Sequence, residues 1–345
     1  MRRILTVAII LSLVFSLFAQ PVEETVATPV SSSITVVDML GTEVTIPSVP
    51  ERIVSGYYIS SSAFIALGLT DNLVAIETGA GKRPIYKLAA SSLINGPNVG
   101  SAKNFDLETC LSVEPELVVL PQKQKDNAKT LNEMGIPTLV VVPESHAQIL
   151  EMFALLGKAT HREVEADKLI ASYREKLDLV ESLARRVSEE EKPVVYMGGT
   201  GSILTTAPEN MYQASLIRSV GARNAGDVLS GASWVGISYE ELIAMNPDVI
   251  FIPSNSNANG TPDYTVESVL LDKELQGIKA VQNGRVYQMP IGFEAWDSPV
   301  PSGILGALWM MKTLHPDLYS QEAFPKTVQE FYSEFYGFAP DTSLL

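Results

Sequence analysis

Between residues 82 and 125 the chain carries Lys82, Arg83, Lys87, Lys103, Lys123 and Lys125, a basic concentration in a protein with 25 Lys and Arg against 40 Asp and Glu. Tyr57, Tyr58, Trp234, Phe293 and Trp296 stand in the loop-like segments GYYISSS, GASW and IGFEAWDSP. Cationic donors pair with anionic oxygens, and flat rings pack on the body of a small molecule. The chemistry on offer is noncovalent capture of an anionic ligand. Catalysis lacks a comparable pattern. The glycine-rich GGTGSI at residues 198–203 has no Lys-Ser pair after it and lacks the dinucleotide spacing, and no serine sits in a nucleophile elbow. His146, His161 and His315 are too scattered for a metal cage and read as capping or surface residues, so no metal and no cofactor is expected.

Such residues need a scaffold that brings distant loops together. Residues 34–47 alternate apolar and polar around Leu40-Gly41-Thr42-Glu43, a hairpin signal. RIVSG, LVAIE, LVVL and TLVVV then read as strands with helical patterns between them, including a short helix over residues 60–67, which implies a doubly wound, mainly parallel sheet. From 162 to 187 apolar residues recur at threes and fours with no Gly or Pro, predicting one helix roughly 39 Å long. Strand and helix alternation resumes with PVVYM, a helix over 212–220, VIFI and RVYQM, and an apolar helix is expected over 299–314.

One pattern occurs twice. FDLETCLSVEPELVVLP at 105–121 returns as ISYEELIAMNPDVIFIP at 237–253, with Pro115 matching Pro247 and Glu108 matching Glu240 at a constant offset of 132. Each copy opens on an N-cap residue, Asp106 or Ser238, runs about two helical turns to the proline, and continues through an acidic residue into a β-branched strand. A repeat this long predicts two similar lobes.

Arg2 and Arg3, the apolar run over 4–17 and Ala19 form a secretory leader, with cleavage expected after Ala19. No cysteine lies near that point, so a lipid-anchored product is not expected; Cys110 is the only cysteine and excludes an intramolecular disulfide. The mature chain would hold 23 basic and 40 acidic side chains, a formal charge of −17 that repels nucleic acid. The expected organisation is leader 1–19, flexible tether 20–33, first α/β lobe 34–160, interlobe helix 161–190 and second α/β lobe 191–345, in a soluble periplasmic monomer.

DMLGTEVTIPSVPERIV, FIALGLTDNLVAI, the paired repeats, NGRVYQMP, AWDSPVPSG and WMMKTLHP, in this order, resemble the substrate-binding proteins of ABC importers for iron-siderophores, haem and cobalamin. The likeness spans nearly the whole mature chain. It implies two lobes joined by one rigid helix, a ligand cleft between them, and a permease dimer in the membrane as partner. It further implies permease docking through one glutamate per lobe, here Glu108 and Glu240. In such lobes ligands meet the carboxyl ends of strands, which makes Tyr57, Tyr58, Lys82, Arg83, Lys103, Lys123, Trp234, Phe293 and Trp296 the candidate contacts. Where cobalamin binders present a tryptophan before the first repeat, this chain has Ala102 and Lys103. A ferric siderophore therefore ranks ahead of cobalamin or haem, then an oxyanion or bare metal ion.

Overall fold

The opening hairpin forms because its apolar residues alternate. Strands β1 (Ile34–Val37) and β2 (Glu43–Ile46) pair antiparallel, with Ile34 opposite Ile46, and Val36, Val44 and Ile46 turn inward. Asp38 fixes the turn: its Oδ1 accepts from the Leu40 and Thr42 amides at 2.9 and 2.8 Å, and its Oδ2 accepts from Val140 N at 3.1 Å. That last bond docks the hairpin on an edge of the first sheet. The computed structural model describes residues 33–231, 233–254, 263–319 and 322–345; the expected leader and tether residues 20–32 lie outside them.

The first sheet consists of β3 (Ile53–Ser55), β4 (Leu73–Ile76), β5 (Leu117–Pro121) and β6 (Thr138–Val141), all parallel, in the order β4-β3-β5-β6. Every residue of β3, β5 and β6 is buried, as a parallel sheet covered on both faces requires. Helices α1 (Tyr58–Ala66), α2 (Pro84–Ala89), α3 (Leu107–Ser112), α4 (Lys125–Glu133) and α5 (His146–Ala159) belong to this half. The first of them starts two residues earlier than the sequence pattern predicts.

Helix α6 (Glu163–Ala184) is the interlobe helix, 22 residues and about 33 Å long. It stops three residues short of the expected Val187. Buried Ala166, Leu169, Ile170, Tyr173 and Val180 form its inner stripe. Gly157 lets α5 approach it closely, since a Cβ there would lie 2.4 Å from Ala166 Cβ.

The second half places β7 (Val194–Gly199), β8 (Ser202–Thr206), β9 (Arg223–Asn224), β10 (Val235–Gly236), β11 (Val249–Ile252) and β12 (Val286–Gln288) in one sheet, ordered β10-β8-β7-β11-β12 with β9 also on β7. Strands β7, β9, β11 and β12 are parallel, while β8 pairs antiparallel with β7, and β10 antiparallel with β8. The glycine-rich loop is thus a tight hairpin between β7 and β8. Helices α7 (Tyr212–Ser219), α8 (Tyr239–Met245), α9 (Val266–Leu271), α10 (Lys279–Gln282), α11 (Gly303–Leu314) and α12 (Phe324–Tyr336) complete it. Helix α11 starts at Gly303 instead of 299 because the preceding Ser298–Ser302 backbone is folded into turns. Helix α6 packs on α5 in the first lobe and on α7 and α11 in the second.

The duplicated pattern is also a structural duplicate. Asp106 accepts from Thr109 N at 2.9 Å and Ser238 from Glu241 N at 3.2 Å, the latter completed to a capping box by Glu241. Both helices end on a residue with positive φ just before the proline, Glu114 at 46° and Asn246 at 42°. The acidic residue after each proline grips the start of the neighbouring strand. Glu116 Oε2 accepts from Arg52 N at 3.2 Å, and Asp248 Oδ2 from Val194 N at 2.9 Å.

Candidate functional site

A cavity of about 410 Å³ opens between the two sheets. Its first wall comes from the carboxyl ends of β3 and β4, through Tyr57, Tyr58, Glu77 and Thr78, and from Arg83; Ser101, Ala102 and Glu144 extend it. Thr200, Met211, Tyr212, Gln213, Trp234, Ser298 and Pro299 form the facing wall. This is the crevice that open α/β sheets offer to ligands.

Arg83 is the one Lys or Arg among the described lining residues. Its NH1 lies 3.4 Å from Glu77 Oε1 and from the Thr78 carbonyl, and its Cζ stands 4.3 Å above the Tyr58 ring. Glu77 is held in turn by Ser61 Oγ at 2.5 Å and Tyr86 OH at 2.6 Å. Burial pushes the Glu77 carboxyl up, against the opposing pull of Arg83. Among the described residues the guanidinium Nε and NH2 have no partner, so an oriented fork of donors remains for an anion.

Behind Tyr58 lies a buried joint between the lobes. The Tyr58 hydroxyl accepts from Ala295 N at 3.3 Å. Next to it, Glu294 Oε2 accepts from Ser302 N at 3.2 Å, from Tyr336 OH at 2.7 Å and from Ser302 Oγ. Glu294 is 1% exposed, and burial pushes its carboxyl up to about 7 despite these bonds. Phe293 and Trp296 belong to this joint. They are 4% and 0% exposed, stack at 5.6 Å, and Trp296 Nε1 donates to Tyr332 OH at 2.9 Å. Both rings pack under α12 and neither lines the cavity, because the chain after β12 turns inward.

The remaining sequence candidates divide clearly. Tyr57, Tyr58, Arg83 and Trp234 line the cavity. Lys82, Lys103 and Lys123 are exposed beside it and do not line it, although Lys123 is near enough to favour the charged form of Glu144. Glu108 and Glu240 are exposed in the first turns of α3 and α8. His146 is not at the surface: it is 7% exposed, its Nδ1 meets Tyr173 OH at 2.7 Å, and burial pushes its pKa down to about 4. Among the described residues no group of three or more His, Cys, Asp or Glu is placed to hold a metal ion, and no helix is long and apolar enough to cross a membrane. Glu77, Glu144, Tyr212 and Gln213 were missed by sequence reasoning. Their only sequence signal is position, at strand ends or at a helix start, and that signal is shared by many polar residues.

Residues 53–291 match a family described as periplasmic binding protein. A molybdate-binding protein of Haemophilus influenzae, MolA, is 23% identical over 335 residues, covering 89% of this chain and 93% of the relative. An Fe(3+)-citrate-binding protein of Bacillus subtilis, YfmC, is 24% identical over 247 residues, covering 70% and 74%. The solved structure of MolA with molybdate superposes with a TM-score of 0.79 at 20% identity, covering 89% of this chain and 99% of that one. A periplasmic solute-binding protein of Veillonella parvula gives 0.74 at 26% identity, covering 90% and 95%. With a family match over most of its length and a binding cavity between two α/β lobes bridged by one helix, this chain belongs to the periplasmic binding proteins that serve ABC importers.

Proposed function

We propose that the protein captures a compact anionic metal chelate, a ferric chelate, in the Arg83 cavity and delivers it to an ABC permease dimer. The observation that carries this reading is the Arg83 guanidinium, held by Glu77 and Tyr58 with donors left over. Tyr57 and Trp234 add ring surface for the body of a chelate. The cavity lies at the small end of the usual range of about 300–1,000 Å³, which disfavours a corrinoid. An oxyanion is the second reading, favoured by that same size and by the similarity to MolA. The protein acts as an extracytoplasmic monomer, and Glu108 and Glu240 meet the permease, one on each lobe.

Titration calorimetry with ferric citrate, ferric hydroxamate and catecholate siderophores, haem, cobalamin and molybdate tests the assignment. Anionic ferric chelates should bind one per chain and lose at least tenfold in affinity in Arg83→Met. Undiminished chelate affinity in that variant would remove Arg83, and this reading with it.

A further inference from the structure

The two walls of the cavity meet at a helix start, where Glu144 of the first wall reaches Tyr212 of the facing one. Helix α7 begins at Tyr212 with Met211 at its cap position and no capping side chain from its own segment. The cap comes from the other lobe, where Glu144 follows β6: its Oε2 accepts the Tyr212 amide at 3.3 Å. A helix start normally attracts an anion. Here a carboxylate of the protein already occupies it, so the ligand meets the remaining Glu144 oxygen instead of a free row of amides.

Gln213 adds a second acceptor. It is 5% exposed and lines the same cavity. Its Nε2 donates to the Asp297 carbonyl at 2.8 Å, which fixes the amide orientation, and its Oε1 has no partner among the described residues. A buried acceptor left unpaired is costly and is normally satisfied by a donor. An anion without hydrogens would leave Gln213 Oε1 unpaired and would face the Glu144 charge.

Resting on the cavity assignment above, we infer that this site selects an amphoteric ligand. An anionic group meets Arg83, and a hydroxyl, ammonium or metal-bound water elsewhere on the ligand donates to Glu144 and Gln213. This pair is then a specificity device that disfavours bare oxyanions. Glu144 is only partly exposed, and burial raises its pKa, so acid conditions relax the discrimination by neutralising it.

Three probes test the inference: ferric citrate, a ferric tris-catecholate bearing a free terminal ammonium, and molybdate, which presents only acceptors at neutral pH. Each is titrated into wild type, Glu144→Gln, Gln213→Met and Arg83→Met, with thermal unfolding to confirm that each variant is folded. Glu144→Gln should weaken the ammonium-bearing chelate at least tenfold and strengthen molybdate. Gln213→Met, which deletes the acceptor by a different route, should also weaken the chelate and should spare molybdate. Equal effects on both probes in the folded variants, or wild type preferring molybdate to both chelates, overturns the inference while leaving the Arg83 cavity intact. Loss of dependence on Arg83 overturns the cavity assignment instead, and wild type binding none of the three overturns both.

Discussion

Replacing Glu294 by Gln should change how stability depends on pH. The carboxyl is 1% exposed and sits at about 7 in the folded chain against 4.5 for the free group. Its folded pKa is raised, so the folded state keeps a proton that the unfolded chain gives up above about 4.5. The associated stability is complete below that value and is lost as pH rises through about 7. At about 1.4 kcal/mol per unit, the change amounts to about 3 kcal/mol. Gln mimics the protonated acid: its oxygen can accept from Ser302 and Tyr336, and it cannot ionise. Urea unfolding at pH 5 and pH 8 should therefore find wild type and Glu294→Gln within about 1 kcal/mol of each other at pH 5. At pH 8 the variant should be the more stable by about 3 kcal/mol, or about 4–5 °C in Tm for a chain of this length. Other carboxylates titrate in both proteins and cancel in the comparison. A difference that stays constant across this range would refute the reasoning, because Glu294 would then be ionised throughout or neutral throughout.

Gly157→Ala should destabilise by about 1–3 kcal/mol in denaturant titration, since the new Cβ would lie 2.4 Å from Ala166 Cβ and the helix-propensity gain of about 1 kcal/mol is smaller than the clash. Wild-type stability there would mean that α5 and α6 separate freely. The double replacement Glu108→Lys and Glu240→Lys should leave ligand affinity unchanged and cost about 1–2 kcal/mol of stability through the two helix dipoles. In a reconstituted importer it should abolish ligand-stimulated ATP hydrolysis, and full stimulation would exclude docking at these sites. X-ray scattering with and without ligand should show only a slight change in radius of gyration, because bending α6 would break its backbone hydrogen bonds; a large compaction would show that α6 is a hinge.

The lobes were legible because their signals are local. Alternation located the β1–β2 hairpin, β-branched runs gave β3 to β6, β7, β11 and β12, and Asp106 and Ser238 announced the helices they cap. The repeat reported a real equivalence down to the strand-gripping Glu116 and Asp248. Arg83 was recognisable by charge, yet its difference from Lys82 was not: adjacent residues point apart, and Lys82 is exposed beside the cavity. Trp296 illustrates the converse, since an aromatic in a Gly/Pro-rich segment has the same composition whether it faces a ligand or packs under α12. Glu144, Gln213 and Glu294 escaped because their partners lie 68, 84 and 42 residues away, at Tyr212, Asp297 and Tyr336. Nothing local distinguishes a carboxylate that caps another lobe's helix from one in solvent.

The lobes are fastened in more places than one. Besides α6, the Glu144 bond to Tyr212 N and the Tyr58 bond to Ala295 N cross between them. A pocket already assembled spends little of the ligand's interaction energy on rearrangement. Encounter can then proceed at rates set by diffusion and orientation, and differences in affinity among cargoes appear as residence time. The same fastening makes the cargo slow to leave a tight complex unaided. Rapid unloading requires an outside agent that separates the two walls, breaking the Glu144 and Tyr58 bridges as it does so, and the energy for that step must come from the acceptor of the cargo.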